Sequence, residues 1–451
     1  MGKISEIQYI AHPVFNDLNV KITQDKTFSK DNYITLLIGE NGSGKSEFLK
    51  SIIQSLRQEP NDKHILSKII MTHSGVNKKI RWPRKVIACS LSVSDKLPYC
   101  KNSWGEDEFY FYAGPKTASN NIFIGKYRED LFRCFNIICK DNFKEKLLSK
   151  CLGFMELPSV FEFKMTLGSV LRRRLNKEAE NESFDPLLYI DETIFSIFKR
   201  MGFDKHNSSK ENEEVSAVSK TVKQLYAIPS ARITTQIIIE ESEKTNLNLM
   251  DFFLHLIDEK ILSVSELSEV SNNDLLNLSS GQFNLIRNIA TIVSQLKNHS
   301  LLIVDEPEIS LHPSWQIKFM DLVGIILKHF EGCHVIVASH SHLLATSLPL
   351  TFSNVLVSKK SNCFKLEPLD ASPTGLSSDM LLYGVFGVLT RGNTAFESDL
   401  RTVTSLLSNL NLDNKSLLME AMSRLSRYSL PGNDPLNEFL RKAQVKLEGL
   451  K

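Results

Sequence analysis

The chain has 451 residues, 42% of them hydrophobic, and a formal net charge of +2. This length and apolar content imply two or three domains with real cores and exclude a single small module, while the near-neutral charge leaves nucleic acid only local patches to bind. Seven cysteines form no Cys-x-x-Cys pair or zinc-spaced cluster, no run approaches the ~20 apolar residues that span a bilayer, and Met1–Gln8 lacks a signal-peptide core, so a cytoplasmic protein with reduced thiols and no membrane contact is expected.

Strand-like runs cover Ile4–Ile10, Leu18–Ile22 and Ile34–Ile38. The third leads into Gly39-Glu40-Asn41-Gly42-Ser43-Gly44-Lys45-Ser46, which satisfies Gly-x-x-x-x-Gly-Lys-Ser/Thr at every fixed position. Phe48, Leu49, Ile52, Ile53 and Leu56 then predict a helix over Glu47–Leu56. Strand, glycine loop and helix suit a polyphosphate. The glycines let backbone N–H groups turn inward, Lys45 supplies a cation for the β and γ phosphates, and Ser46 offers a hydroxyl to Mg²⁺.

Between about residues 60 and 270, strand-like pieces (Lys85–Val93, Glu108–Tyr112, Val160–Met165, Ile233–Glu240) alternate with helical ones (Lys126–Leu152, Leu187–Met201, Asn246–Ile261). The polar stretch His206–Lys220 reads as a flexible loop. Neither a fixed-period repeat nor sustained heptads occur. Basic runs at Lys78–Lys85, with Trp82 as a stacking side chain, and at Arg172–Arg174 are the best nucleic-acid candidates, although such runs are more often solvated surface.

Regular alternation returns at Leu278-Ser279-Ser280-Gly281-Gln282, which opens a helix over Gly281–Leu296 and places a hydroxyl and free N–H groups at its N-terminus, an anion site. The buried strand Leu301–Val304 runs into Asp305 and Glu306, 24 residues after Gly281. Asp305 would order the water shell of the metal held by Ser46, and Glu306 would polarise an attacking water. A helix over Ser314–His329 and a strand over His334–Ala338 follow, ending in Ser339-His340-Ser341-His342, where His340 can hydrogen-bond a γ-phosphate. Two short strands after Leu350 precede helices over Asp379–Leu389, Ala395–Leu410, Lys415–Ser426 and Pro435–Leu447. This order predicts an α/β fold whose parallel sheet holds ligands at the carboxyl ends of its strands.

Together the four motifs resemble the ATP-binding cassette ATPases, in the branch that includes chromosome-maintenance and recombination-repair ATPases and the overcoming-lysogenization-defect nucleases. The resemblance implies an ABC-type P-loop ATPase head from residues 1–58 and 272–370, a large inserted α+β lobe at 59–271, and a C-terminal helical region at 371–451 for assembly or partner docking. It implies ATP and Mg²⁺ as cofactors and two heads meeting face to face as a homo-oligomer. Gly39, Asn41, Gly42, Ser43, Gly44, Lys45 and Ser46 would bind ATP, Ser46 and Asp305 the metal, and Glu306 and His340 would be catalytic. Ser279, Ser280, Gly281 and Gln282 would complete the partner head's site, with Ser310-Leu311-His312 coupling the two sites.

Departures narrow the branch. The 233 residues between Lys45 and Ser279 exceed a transporter cassette and carry no coiled-coil signature, which argues against both a transporter and a long-armed chromosome ATPase. The glutamine that follows the first helix in the family has only Ser92 as a substitute, no aromatic residue is identified for the adenine, and no acidic nuclease cluster follows His342. Arg84–Ser90 leading to Asp95–Pro98, and Gly375–Asp379 leading to Phe386–Val388, are similar to stretches of bacterial anti-phage ATPases such as the ATPase subunit of the two-gene Septu system, whose partner is an HNH nuclease. Another defence ATPase, PARIS among them, and plain lobe packing remain open. The implied function is an ATP-dependent sensor or scaffold that controls a separate nuclease. The alternatives are a repair ATPase acting directly on DNA and a nucleotide-gated scaffold with negligible hydrolysis.

Overall fold

The computed structural model describes residues 2–12, 14–23, 32–57, 67–73, 82–92, 94–100, 104, 109–116, 125–178, 184–200, 209–228, 231–239, 247–271, 274–348, 353–359, 364–369, 394–408, 414–425 and 435–448. Strand β1 (Gly2–His12) pairs antiparallel with β2 (Asn16–Lys21). Next, β3 (Tyr33–Gly39) leads through the glycine loop into α1 (Lys45–Arg57). All seven residues of β3 are buried. An inner parallel strand is covered on both faces, hence the unbroken apolar run. β4 (Ser67–His73) returns to β1, giving a three-stranded sheet of order β2-β1-β4. After it come β5 (Lys85–Ser90) and β6 (Tyr110–Ala113).

The middle of the chain comprises α2 (Gly125–Cys139), α3 (Asn142–Phe154), β7 (Val160–Leu167), α4 (Ser169–Glu178), α5 (Pro186–Arg200), α6 (Ser209–Ala227), β8 (Ile233–Ile238), α7 (Leu247–Asp258), β9 (Leu262–Ser271) and β10 (Asp274–Asn277). Its four strands form an antiparallel sheet, β10-β9-β7-β8. Two sequence expectations fail here. The single helix over Lys126–Leu152 is two helices, because the Asp141 carboxylate caps a new N-terminus by accepting from the N–H groups of Phe143 (3.0 Å) and Lys144 (3.4 Å). The loop over His206–Lys220 is instead largely α6: buried Val218, Val222 and Leu225 give the helix an apolar stripe, and one stripe is enough to dock a helix whose other faces are polar.

The chain then runs through α8 (Ser280–Gln295), β11 (Ser300–Asp305), α9 (Pro313–Leu327), β12 (His334–Ser339), β13 (Ser353–Lys359) and β14 (Lys365–Pro368). The main sheet has seven strands in the order β14-β13-β3-β12-β11-β5-β6, all parallel except the antiparallel edge strand β14. Its inner strands alternate between two cores. Ile34, Leu36, Ile38, Leu302, Val304, Val335 and Val337 face one, while Leu37, Leu301, Ile303, Ile336 and Ala338 face the other, as a period of two demands. The second core also holds Phe48, Leu49, Ile52 and Ile53 of α1 and Ile4, Ile7 and Tyr9 of β1.

Residues 85–90 and 110–113, placed above in the inserted lobe, are strands of the main sheet, β4 joins the N-terminal sheet, and β10 belongs to the lobe's sheet. Parallel neighbours are joined by long crossovers, so sheet membership depends on packing rather than on local pattern. The first core moreover continues without a break from Ile34 of the main sheet to Phe161 and Phe163 of β7. Helices α10 (Thr394–Ser408), α11 (Lys415–Leu425) and α12 (Pro435–Glu448) share a small core of their own around Val403, Leu418 and Leu425. The helix expected over Asp379–Leu389, like Gly375–Asp379 and Phe386–Val388, lies outside the described residues.

Candidate functional site

The glycine loop sits at the carboxyl end of β3. Gly42 (φ 76°) and Gly44 (φ 95°) adopt the left-handed conformation that a side chain would strain, and a Cβ at Gly39 would overlap the carbonyl oxygen of Ser358. Because α1 begins at Lys45, its unpaired N-terminal N–H groups open onto the loop, a ready anion site. Asn41 and Gly42 are exposed at the tip, whereas Lys45 is buried and donates through Nζ to the carbonyls of Gly39 (2.8 Å) and Glu40 (2.9 Å). Burial lowers the Lys45 pKa, against the opposing pull of Glu306, Glu308, Asp305 and Glu40. The Ser43 hydroxyl is buried and has no hydrogen-bond partner among the described residues. An orphaned hydroxyl and a lysine folded onto carbonyls both suit a loop shaped around a polyanion.

Strand β11 brings the carboxylates to the same edge. The Ser46 hydroxyl donates to Asp305 Oδ1 at 3.2 Å, joining residues 259 positions apart. Asp305 is 1% exposed. Its pKa is pushed up to about 7, first by burial and then by Glu306, Asp95 and Glu308, with Ser46 opposing. A buried carboxylate surrounded by others is a site short of positive charge, which a divalent cation would supply. Among the described residues no three or more His, Cys, Asp or Glu side chains form a metal-holding group. Mg²⁺ is commonly held by one or two protein oxygens together with waters and phosphates, and the Ser46 hydroxyl and Asp305 carboxylate are oxygens of that kind. Glu306 follows at φ 54°, its N–H donating to the Ala338 carbonyl at 2.9 Å, and Ser310 has φ 63°. Non-glycine residues in this region cost energy and cluster at functional sites.

Glu308, to which sequence reasoning gave no role, ties the histidine to this edge. One of its oxygens, Oε1, accepts from the Ser339 hydroxyl (2.7 Å) and the His340 N–H (2.8 Å) and pairs with His340 Nδ1 (3.0 Å). Burial opposes ionisation of Glu308, but the bonds from His340 and Ser339 outweigh it and hold the carboxyl below its usual range. That pairing raises the His340 pKa against its own partial burial. Gln316 of α9, also missed, accepts from the Ser341 hydroxyl (2.6 Å) and donates to the Leu311 carbonyl (3.0 Å). The signal that could have found Glu308 is its place, one residue past Pro307 in a turn that must fold back over the strand ends.

The structure joins the signature residues to the turn after Glu308 rather than to the glycine loop. Ser279 and Ser280 are exposed at the start of α8, and Gln282 is half-buried. Ser279 Oγ accepts from the Gln282 N–H (3.2 Å), while Gln282 Oε1 accepts from the Ser279 N–H (2.8 Å), a capping box. Among the described residues no hydrogen bond links 279–282 to the glycine loop. Buried Gly281 lies so close to the Ser310 carbonyl that a Cβ would overlap it, which seats the α8 turn on the Ser310-Leu311-His312 loop of the same chain.

Other candidates change standing. Ser92 follows β5, which places it near the Asp305 edge, since Ser90 pairs with Asp305; its own hydroxyl bonds Ser94 Oγ at 2.9 Å. Asp95, in the same loop, accepts from Tyr112 Oη and from the Leu97 N–H (2.7 Å). Trp82 is no stacking platform for nucleic acid: it is buried and donates to the Gly332 carbonyl at 3.1 Å. Lys85 is likewise buried, on Gln295 Oε1 at 2.7 Å. Residues 78–81 lie outside the described residues, while Arg172, Arg173 and Arg174 are all exposed on α4. Among the described residues no helix is long and apolar enough to cross a membrane.

Residues 206–346 match the family described as "AAA domain, putative AbiEii toxin, Type IV TA system". The chain is 22% identical over 340 residues to protein ea59 of Escherichia phage lambda, a match covering 75% of this chain and 51% of that one, so the chain spans about half the length of that relative. A solved SmcHead bound to the C-winged helix domain of ScpA is 12% identical, with 81% of this chain and 97% of that one covered at a TM-score of 0.29. With a glycine loop after β3, Asp305 and Glu306 at the end of β11 and His340 after β12, all on one edge of a parallel sheet, the chain has an α/β P-loop ATPase fold.

Proposed function

We propose that the chain binds ATP with Mg²⁺ on the β3–β11–β12 edge and hydrolyses it between two heads. The observation that carries this reading is the 3.2 Å bond from Ser46 to Asp305, which sets a hydroxyl and a carboxylate side by side where the glycine loop meets the N-terminus of α1. Mg²⁺, when bound, would be held by Ser46 and Asp305 and would neutralise charge on the β and γ phosphates. Lys45 exchanges its carbonyl partners for phosphate oxygens. Glu306 takes a proton from, or orients, the attacking water. His340, held by Glu308, donates toward the γ-phosphate. Ser279 and the α8 N-terminus, exposed and remote from their own loop's hydrogen bonds, are offered to the γ-phosphate of a second copy.

A sensor or scaffold role beside a separate nuclease in anti-phage defence is supported by resemblance at Arg84–Ser90 and Asp95–Pro98. In the fold these residues also have packing roles, in β5 and in the Asp95–Tyr112 contact. A second reading, direct DNA contact, is favoured by the three exposed arginines of α4. The test is light scattering of the Glu306→Gln protein with and without ATP and Mg²⁺, beside steady-state and single-turnover hydrolysis by the wild type. A nucleotide-dependent doubling of mass in the variant and measurable wild-type turnover are expected. Binding without turnover in the assembled protein would leave only a nucleotide-gated scaffold, and an unchanged mass would overturn the shared site.

A further inference from the structure

The β13–β14 hairpin touches the glycine loop at three of its positions. β13 lies parallel to β3 on the side away from β12, and their register ends with Ser358 opposite Gly39, where the loop departs. Ser358 is 2% exposed, and its hydroxyl donates to the Ser43 carbonyl at 2.9 Å. Its own carbonyl fills the space where a Cβ of Gly39 would stand. At the same end of the hairpin, one residue before β14 begins, Phe364 lays its ring on Gly44, so closely that a Cβ there would be 2.7 Å from Phe364 Cδ2. The same ring stacks on Phe48 of α1 (centroids 5.7 Å apart, planes 27° apart) and tilts against Phe15 in the β1–β2 connection (4.7 Å).

We infer that Phe364 and Ser358 are positioning residues for nucleotide binding. They back the glycine loop at Gly39, Ser43 and Gly44, so that its backbone is held in one arrangement before the nucleotide arrives. Gly44 gains most from such backing. A glycine at φ 95° has no side chain to hold it there and samples the mirror regions of backbone space freely once released. A flat ring packed on its Cα removes that freedom in advance, and preorganisation of this kind raises affinity by lowering the ordering cost of binding. Ser358 does the same at Ser43, fixing the carbonyl between the two left-handed glycines. Neither side chain needs to touch the nucleotide, so the effect belongs to phosphate binding in general and is shared by ADP and ATP.

The inference rests on the ATP reading proposed above. Its test is titration of fluorescent ADP and ATP analogues into wild type, Phe364→Ala, Phe364→Tyr, Ser358→Ala and Lys45→Ala, with the melting temperature of each protein measured free of nucleotide. About tenfold weaker binding of both nucleotides is expected for Phe364→Ala and a few-fold loss for Ser358→Ala, with melting temperatures near that of wild type and affinity recovered in Phe364→Tyr. Unchanged affinity in both truncations overturns the inference, as does a loss that the tyrosine fails to restore. Should Phe364→Ala not fold, Ser358→Ala and Phe364→Leu carry the same test. If the wild type itself binds neither nucleotide, the ATP reading fails and this inference with it. If the wild type binds and Lys45→Ala does not while both hairpin variants match the wild type, only the hairpin's role is lost.

Discussion

The glycine loop and the signature turn are both helix N-termini bearing glycines, yet they meet their polar groups in opposite ways. At the loop, Lys45 is buried on carbonyls, Ser43 Oγ has no partner among the described residues, and Asp305 is packed among carboxylates. Every feature there would be stabilised by the ligand proposed above, which brings negative phosphate and positive metal together. At the signature, Ser279 and Gln282 satisfy each other in a capping box and the serines face outward. That turn is complete without a ligand. A buried, incomplete site must bind in place, whereas an exposed, self-satisfied one is stable alone and free to be presented to another molecule.

The largest effect is expected at Lys45. Lys45→Ala is expected to weaken ATP binding at least about 100-fold, because two charge-assisted hydrogen bonds of about 1.5–3 kcal/mol each disappear; calorimetric titration checks it. At the other turn, Ser279→Ala costs a cap of about 1 kcal/mol, whereas Ser279→Asp keeps the cap and places a carboxylate where the partner's γ-phosphate would arrive. Ser279→Asp is therefore expected to melt like the wild type and bind ATP normally, yet hydrolyse it about 100-fold more slowly, the loss typical when a single transition-state donor goes. A fall in its intrinsic ATP affinity, measured on the monomer, would mean that the signature serves its own loop.

Glu308→Gln removes the charge that holds His340 and is expected to slow hydrolysis about tenfold, the worth of one hydrogen bond to a charged group. The pair also has a pH signature. The raised His340 pKa contributes stability that is fully present below the ordinary imidazole value of about 6.5 and is lost as pH rises through the raised value. The lowered Glu308 pKa contributes stability present above the ordinary carboxylate value of about 4.3 and lost as pH falls through the lowered one. The gap in melting temperature between wild type and His340→Gln should therefore be widest at about pH 5–6 and shrink toward pH 8–9. The smallest expected effect is on α4: replacing Arg172, Arg173 and Arg174 with alanine should leave ATP turnover unchanged and, if these side chains meet DNA, reduce the salt slope of DNA binding by up to about 0.9 per lost phosphate contact.

Much of the loop edge was legible in the sequence because its chemistry is local. A strand–glycine–lysine–serine segment needs only its own residues to make an anion cradle, and an apolar run ending in Asp305-Glu306 places those carboxylates at a strand's end. What was hidden depends on contacts between distant segments. Glu308 has meaning only through Ser339 and His340, about thirty residues on. Trp82 reads as a stacking ring until Gly332 accepts its N–H and the sheet covers it. β5 was recognised as a strand, but its seat beside β11 is fixed by a parallel pairing with residues 300–305, which no local pattern announces. α6 was lost to composition, since its charges outnumber the three apolar residues that dock it.

The strand order has a consequence for how the molecule comes to exist. β3 stands between β12 and β13, and β5 stands between β11 and β6, so two inner strands made early wait for neighbours made late. From Gly39 to Ser339 is 300 residues, which at ribosomal rates of 5–20 residues per second takes about 15–60 s. Throughout that interval the nascent chain carries apolar strands with unpaired edges, the form of polypeptide most given to aggregation. A chain interrupted before β11 would hold a complete Gly-x-x-x-x-Gly-Lys-Ser loop and still lack the strands that pair with β3. Assembly of the sheet and assembly of the nucleotide site are thus the same late event in the birth of the protein.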